Sequence, residues 1–134
     1  MSDALVFPDT KSALFDLIDG TTHVGVIVHA FTWLPADDYG ILKGPFPIAH
    51  LYGSGGNRGF VDRVDRRTIE VYAPGQQALE VLESITAAIC GENIDTPSGF
   101  LDSIESDAVP DDVPYQSDTL NKAVATFLVT SRPI

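Results

Sequence analysis

FVDRVDRRTIEVYAPGQQALEVLESITAAIC, residues 60–90, joins an alternating pattern to a helical one. In its first half Ile69 and Val71 share one side of an extended chain, with Val64 assigned to them. Glu70, Thr68 and Asp65 take the other side. Ala73-Pro74-Gly75 then interrupts the extended pattern. In the second half Ala78, Val81, Leu82, Ile85, Ala88 and Ile89 recur at helical spacing. A strand running into an amphipathic helix can bury one shared face, so the remaining elements are expected to pack on this unit. Four of the chain's eight basic residues cluster at its start: Arg58 just before it, then Arg63, Arg66 and Arg67.

Upstream, Asp9 is placed to cap a helix of about ten residues. Its stripe is Ala13, Leu14, Leu17 and Ile18, and Gly20 is its stop. Thr22–Phe31 reads as one strand, apolar on both faces and therefore central or covered by a partner. Thr32–Pro47 is a loop rich in proline and glycine that also carries Trp33, Tyr39, Ile41, Leu42 and Phe46. Ile48–Tyr52 is a short strand, and Gly53–Gly59 is the mobile tip of a long hairpin closed by the strand after Phe60. Downstream of the helix, which runs from about Gly75 to Cys90, Asn93–Gly99 reads as a linker. Phe100–Ser106 is a strand, Ser106–Asp118 an acidic loop with Pro110 and Pro114, and Leu120–Arg132 the last strand. The fold class is α+β: a single domain over residues 1–134, with a mainly antiparallel sheet of about five strands and two helices on one face.

Composition narrows the function classes. Nineteen acidic against eight basic residues give a formal charge of −11. Such a surface disfavours binding by phosphate neutralisation and docking on anionic lipid. The single cysteine, Cys90, permits no intramolecular disulfide and no cysteine-based zinc site, and is expected to be a small buried residue. MSDALVFPDTKS lacks a basic n-region and a long apolar run, so no secretory leader is expected.

Chemistry-bearing constellations are sparse. His23 and His29 would lie about 20 Å apart on one strand, too far to share a metal, and His50 stands alone. GSGGNRG lacks the order of a phosphate loop and reads as a hairpin tip. The pairs Asp37-Asp38 and Asp111-Asp112 have no calcium-loop spacing and read as solvated acids. No catalytic residue, metal or cofactor is expected. The dense alternation Asp62, Arg63, Asp65, Arg66, Arg67 has two readings: a solvated edge that discourages stray pairing, or a seam of salt bridges between subunits.

With VDRVDRRTIEVYAPG running into QQALEVLESITAAICG, the strand GFLDSIES, the loop VPDDVPY and the closing ATFLVTSRP, the chain resembles the tail terminator (tail completion) proteins of long-tailed bacteriophages. The resemblance spans nearly all of the chain. It implies a structural virion protein, not an enzyme, assembling as a homo-oligomeric, hexameric ring on the head-proximal end of the tail tube. The ring stops tube polymerisation, meets a neck or head-completion protein, and lets DNA pass through its lumen without specific binding. A neck protein of similar fold is the alternative, followed by a small ligand-binding or hydrolytic α+β domain. The resemblance makes Asp62, Arg63, Asp65, Arg66 and Arg67 candidates for the subunit interface. It makes Asp102, Glu105, Asp107, Asp111, Asp112, Gly55, Asn57 and Arg58 candidates for the lumen or tube contact.

Overall fold

The computed structural model describes residues 6–36, 41–42, 44–58, 62–115, 117 and 119–133, with backbone alone over 54–58. The expected pair Asp37-Asp38, Tyr39, the hairpin residues Gly59 and Phe60, and Asp118 lie outside them. Among the described residues no helix is long and apolar enough to cross a membrane.

Helix α1 (Thr10–Ile18) starts where expected: the Asp9 carboxylate accepts from the backbone N–H groups of Lys11 and Ser12, satisfying donors that have no partner inside the helix. It ends before Gly20, whose φ of 76° suits a residue without a Cβ. The expected strand Thr22–Phe31 is broken into β1 (Thr22–His23), β2 (Val26–Ile27) and β3 (His29–Phe31). The cause is local. Val24 and Gly25 both take positive φ, 53° and 78°, and turn the chain back so that β1 and β2 pair as a two-stranded hairpin. Val24 and Ile27 are thereby exposed instead of covered.

Strands β4 (Ile48–Arg58) and β5 (Arg63–Ala73) form a longer hairpin than expected. The glycine run is paired strand through Arg58, opposite Arg63, with a register shift between Gly53 and Gly56. Gly53 has a steric reason: a Cβ there would sit 2.5 Å from the Arg67 guanidinium that crosses it. After β5 come α2 (Gln77–Ile89), β6 (Gly91–Thr96), β7 (Gly99–Val113) and β8 (Asn121–Ser131). The expected linker is thus largely β6, and the expected acidic loop is the far half of β7. Pro110 is tolerated because it falls within a register shift between Ala108 and Asp111, where the ladder is already interrupted.

The sheet therefore has six strands, one more than expected, in the order β3-β4-β5-β8-β7-β6. Among the described strands only β3 and β4 run parallel. The α+β class holds. Helix α1 packs against β3 and β4, and α2 against β5, β7 and β8. Leu14, Ile18, Leu82 and Ile85 share one buried cluster with Leu51, Ile69, Val71, Leu101, Ala125 and Phe127. Phe127 is fully buried at the centre of β8. Two expected helix features differ. Ala88 is exposed, and Cys90, just past the helix end, is half-buried, with burial raising its thiol pKa.

Candidate assembly surface

The charged strand β5 pairs with β8 in unbroken register from Arg63 to Ala73, so parity assigns its side chains to two faces. Asp65 and Arg67 share the face of Ile69 and Val71, and Val64 takes the other; the expected assignment of Val64 and Asp65 is reversed. Asp65 is buried at 6% exposure, and three groups satisfy it. Thr10 donates to Oδ2 at 2.8 Å, Arg63 Nε donates to Oδ1 at 2.8 Å, and the Arg67 guanidinium stands 3.7 Å away. Arg67 Nε also donates to the Thr10 hydroxyl at 2.9 Å. A buried carboxylate needs such partners, because desolvation strongly disfavours an unpaired charge. Asp65 and Arg67, two of the five proposed seam residues, are therefore tied to α1 of their own chain, and Arg63 is tied to Asp65.

Arg66 belongs to the other face. Its Nε donates to Asp107 Oδ2 at 3.1 Å, and Thr126 donates to the same oxygen at 3.2 Å, linking β5 to β7 across β8. Asp62 is exposed just before β5.

Further along that face stands a residue that sequence reading left as an ordinary polar position. Glu70 is only 7% exposed and gathers four donors. His50 Nδ1 lies 3.1 Å from Oε1, and Tyr72 donates to Oε1 at 3.0 Å. Tyr52 donates to Oε2 at 3.3 Å, and Lys122 Nζ lies 2.8 Å from Oε2. Tyr115 folds back from beyond β7 to meet the Tyr72 ring edge to face, with centroids 5.1 Å apart. Burial pushes the Glu70 carboxyl up, but hydrogen bonds from Lys122, His50 and Tyr72 outweigh it and leave its pKa below the ordinary value. Burial and the neighbouring Glu70 charge raise the Tyr72 pKa, and the same two causes raise that of Tyr52. With both oxygens occupied and its proton affinity lowered, Glu70 is built to hold three strands in register, not to carry protons near neutral pH. The signal available in sequence was a glutamate flanked by strand-forming apolar residues; its partners on β4 and β8 are invisible to local pattern.

The acids proposed for a lumen or tube contact fall together on β7. Asp102 pairs with Arg132 at 3.0 Å, and Asp107 is held by Arg66 and Thr126. Glu105, Asp111 and Asp112 are exposed, and the Asp111 side chain accepts from the Asp112 N–H. Because β6 pairs only with Gly99–Ile104, β7 from Glu105 onward has no strand on its outer side among the described residues. Gly55, Asn57 and Arg58 lie on β4 at the other end of the sheet order; the Asn57 and Arg58 side chains are outside the described residues. The structure thus does not bring the two groups of contact candidates onto one strand pair.

The three histidines are dispersed. His23 bridges Thr21 and Ser84, each at 2.9 Å, His50 serves Glu70, and His29 sits on β3. Among the described residues no three His, Cys, Asp or Glu side chains are grouped to hold a metal ion. No protein-family model matches the chain, and no curated protein matches it.

Proposed function

We propose that this protein is a tail terminator of a long-tailed bacteriophage, a structural subunit that closes the head-proximal end of the tail tube as a ring and presents a surface to the neck. The observation that carries the reading, beside the resemblance of VDRVDRRTIEVYAPG and ATFLVTSRP, is the pair of unlike sheet edges. One edge is the short β3; the other includes the exposed acidic stretch of β7 from Glu105 to Asp112. Two different edges on one subunit suit head-to-tail contacts, the arrangement that closes into rings.

In this reading both helices lie on one face of the sheet, and the Glu70 face meets neighbouring subunits. The sheet itself is rigid, because Asp65 and Glu70 are satisfied within the subunit. The exposed carboxylates of β7, Glu105, Asp111 and Asp112, border the lumen, where negative charge keeps passing DNA from sticking. Residues Gly55, Asn57 and Arg58 of the long hairpin reach toward the tube.

Electron microscopy of particles assembled without this protein is the test. Overlong tails lacking heads are expected. Tails of normal length lacking heads would move the protein to the neck, and intact infectious particles would overturn both positions.

A further inference from the structure

Between α1 and the β3 edge lies an open cleft of about 420 Å³, lined among others by Ser12, Phe15, Asp19, His29, Phe31 and Trp33. Trp33 is 66% exposed, a large indole left in water. Its ring meets that of Phe31 edge to face, with centroids 5.9 Å apart and planes at 73°, so the two rings form adjoining walls. The carboxylate in the lining is fixed: Asp19 Oδ1 accepts the Ala30 N–H at 3.0 Å, anchoring the side chain to β3. Asp19 Oδ2 has no partner among the described residues.

An anchored carboxylate with a free oxygen beside an exposed indole and a half-buried phenyl ring matches one ligand chemistry well. A guanidinium is planar and weakly hydrated; it stacks on aromatic rings and hydrogen-bonds to a carboxylate at the same time. An ammonium is more strongly hydrated and makes no planar stack. The chain's net charge of −11 adds a general attraction for cationic partners. Four of its five arginines are otherwise engaged: Arg63, Arg66, Arg67 and Arg132 each pair with a carboxylate of the same chain, which leaves Arg58 as the one to test. We propose that the cleft between α1 and β3 receives an arginine side chain presented by a different, basic partner protein.

Trp33 is the only tryptophan in the chain, so its fluorescence reports on this cleft alone. The experiment titrates the full chain with end-blocked Gly-Arg-Gly and, separately, with the peptide carrying neutral citrulline in place of arginine. A saturable change in Trp33 emission is expected with the arginine peptide only. Asp19→Asn retains an oxygen to accept the Ala30 N–H, and is expected to weaken the midpoint about threefold to tenfold. No saturable change, an equal response to citrulline, or an unchanged midpoint in Asp19→Asn would overturn the proposal. The comparison of the two peptides stands on the unmodified chain even if the variant folds poorly. A dilution series without peptide tests the identity of the partner. Trp33 emission that varies with protein concentration, and stops varying in Arg58→Gln, would make the occupant a second copy and overturn the assignment to a different protein.

Discussion

The Thr10 hydroxyl donates to the Asp65 carboxylate at 2.8 Å across 55 residues of sequence, and this bond seats the first turn of α1 on β5. The same carboxylate neutralises Arg63 and Arg67, so removing different members of the group has different costs. Thr10→Val deletes one hydrogen bond but leaves both arginines paired, and is expected to cost about 1 kcal/mol. Asp65→Ala leaves Arg67, whose side chain is only 17% exposed, without its ion-pair partner, with the Thr10 hydroxyl and the nearby Asp9 charge still beside it. The expected cost is about 3 kcal/mol. Urea unfolding of the two variants measures the difference. Equal losses would mean that the arginines gain nothing from Asp65.

Glu70 makes a prediction about acid. Its carboxyl titrates below the ordinary value of 4.5 in the folded chain, so the unfolded chain takes up the proton first as pH falls. The stabilisation is complete above the ordinary value and is lost as the pH drops through the lower, folded one. Glu70→Gln preserves size but replaces the charged acceptor, and is expected to reduce stability at neutral pH by about 2 kcal/mol. The variant should also show a shallower loss between about pH 5 and pH 3 than the parent. Unfolding midpoints across that range provide the check; parallel curves would show that the network does not couple folding to this proton.

The same two residues mark how far local pattern reaches. Both helices were legible because their signals are contained within one or two turns: Asp9 and the Ala13, Leu14, Ile18 stripe for α1, Val81, Leu82 and Ile85 for α2. β6 and the far half of β7 were not. From Glu105 to Val109 every side chain is exposed, so no apolar alternation marks the strand, and its extension rests on the ladder that β8 provides. Thr22–Phe31 failed for the opposite reason. Its alternation is that of a strand, but the turn at Val24-Gly25 divides it, and a β-branched residue gives no warning of positive φ. The charged strand was recognised as important, yet its partners were unreadable. Asp65 answers to Thr10 on α1, and Glu70 to His50 on β4 and Lys122 on β8, contacts that only tertiary structure creates.

Val24 carries the backbone strain implied by that turn. Its φ of 53° brings Cβ toward the carbonyl oxygen, while its side chain is 56% exposed and adds little packing. Asparagine tolerates the left-handed conformation, and an asparagine followed by glycine suits a two-residue hairpin. Val24→Asn is expected to raise stability by about 1 kcal/mol, read as an upward shift in thermal midpoint. A decrease would mean that the β1–β2 hairpin draws on the valine for contact.

Ser131 closes β8 as a fully buried side chain, and its hydroxyl has no hydrogen-bond partner among the described residues. It shares the β8 face of Phe127 and Val129, which points into the apolar cluster. Removing water from a hydroxyl without replacing its hydrogen bonds disfavours folding, so serine is a poor choice here on stability grounds alone. Ser131→Ala deletes the oxygen and leaves a void smaller than a methyl group. The variant is expected to be more stable by about 1 kcal/mol. Denaturant unfolding with an unchanged slope would place the gain in the folded state. A loss of comparable size would instead show that the hydroxyl has a partner in solution, such as a bound water beside the β5–β8 ladder.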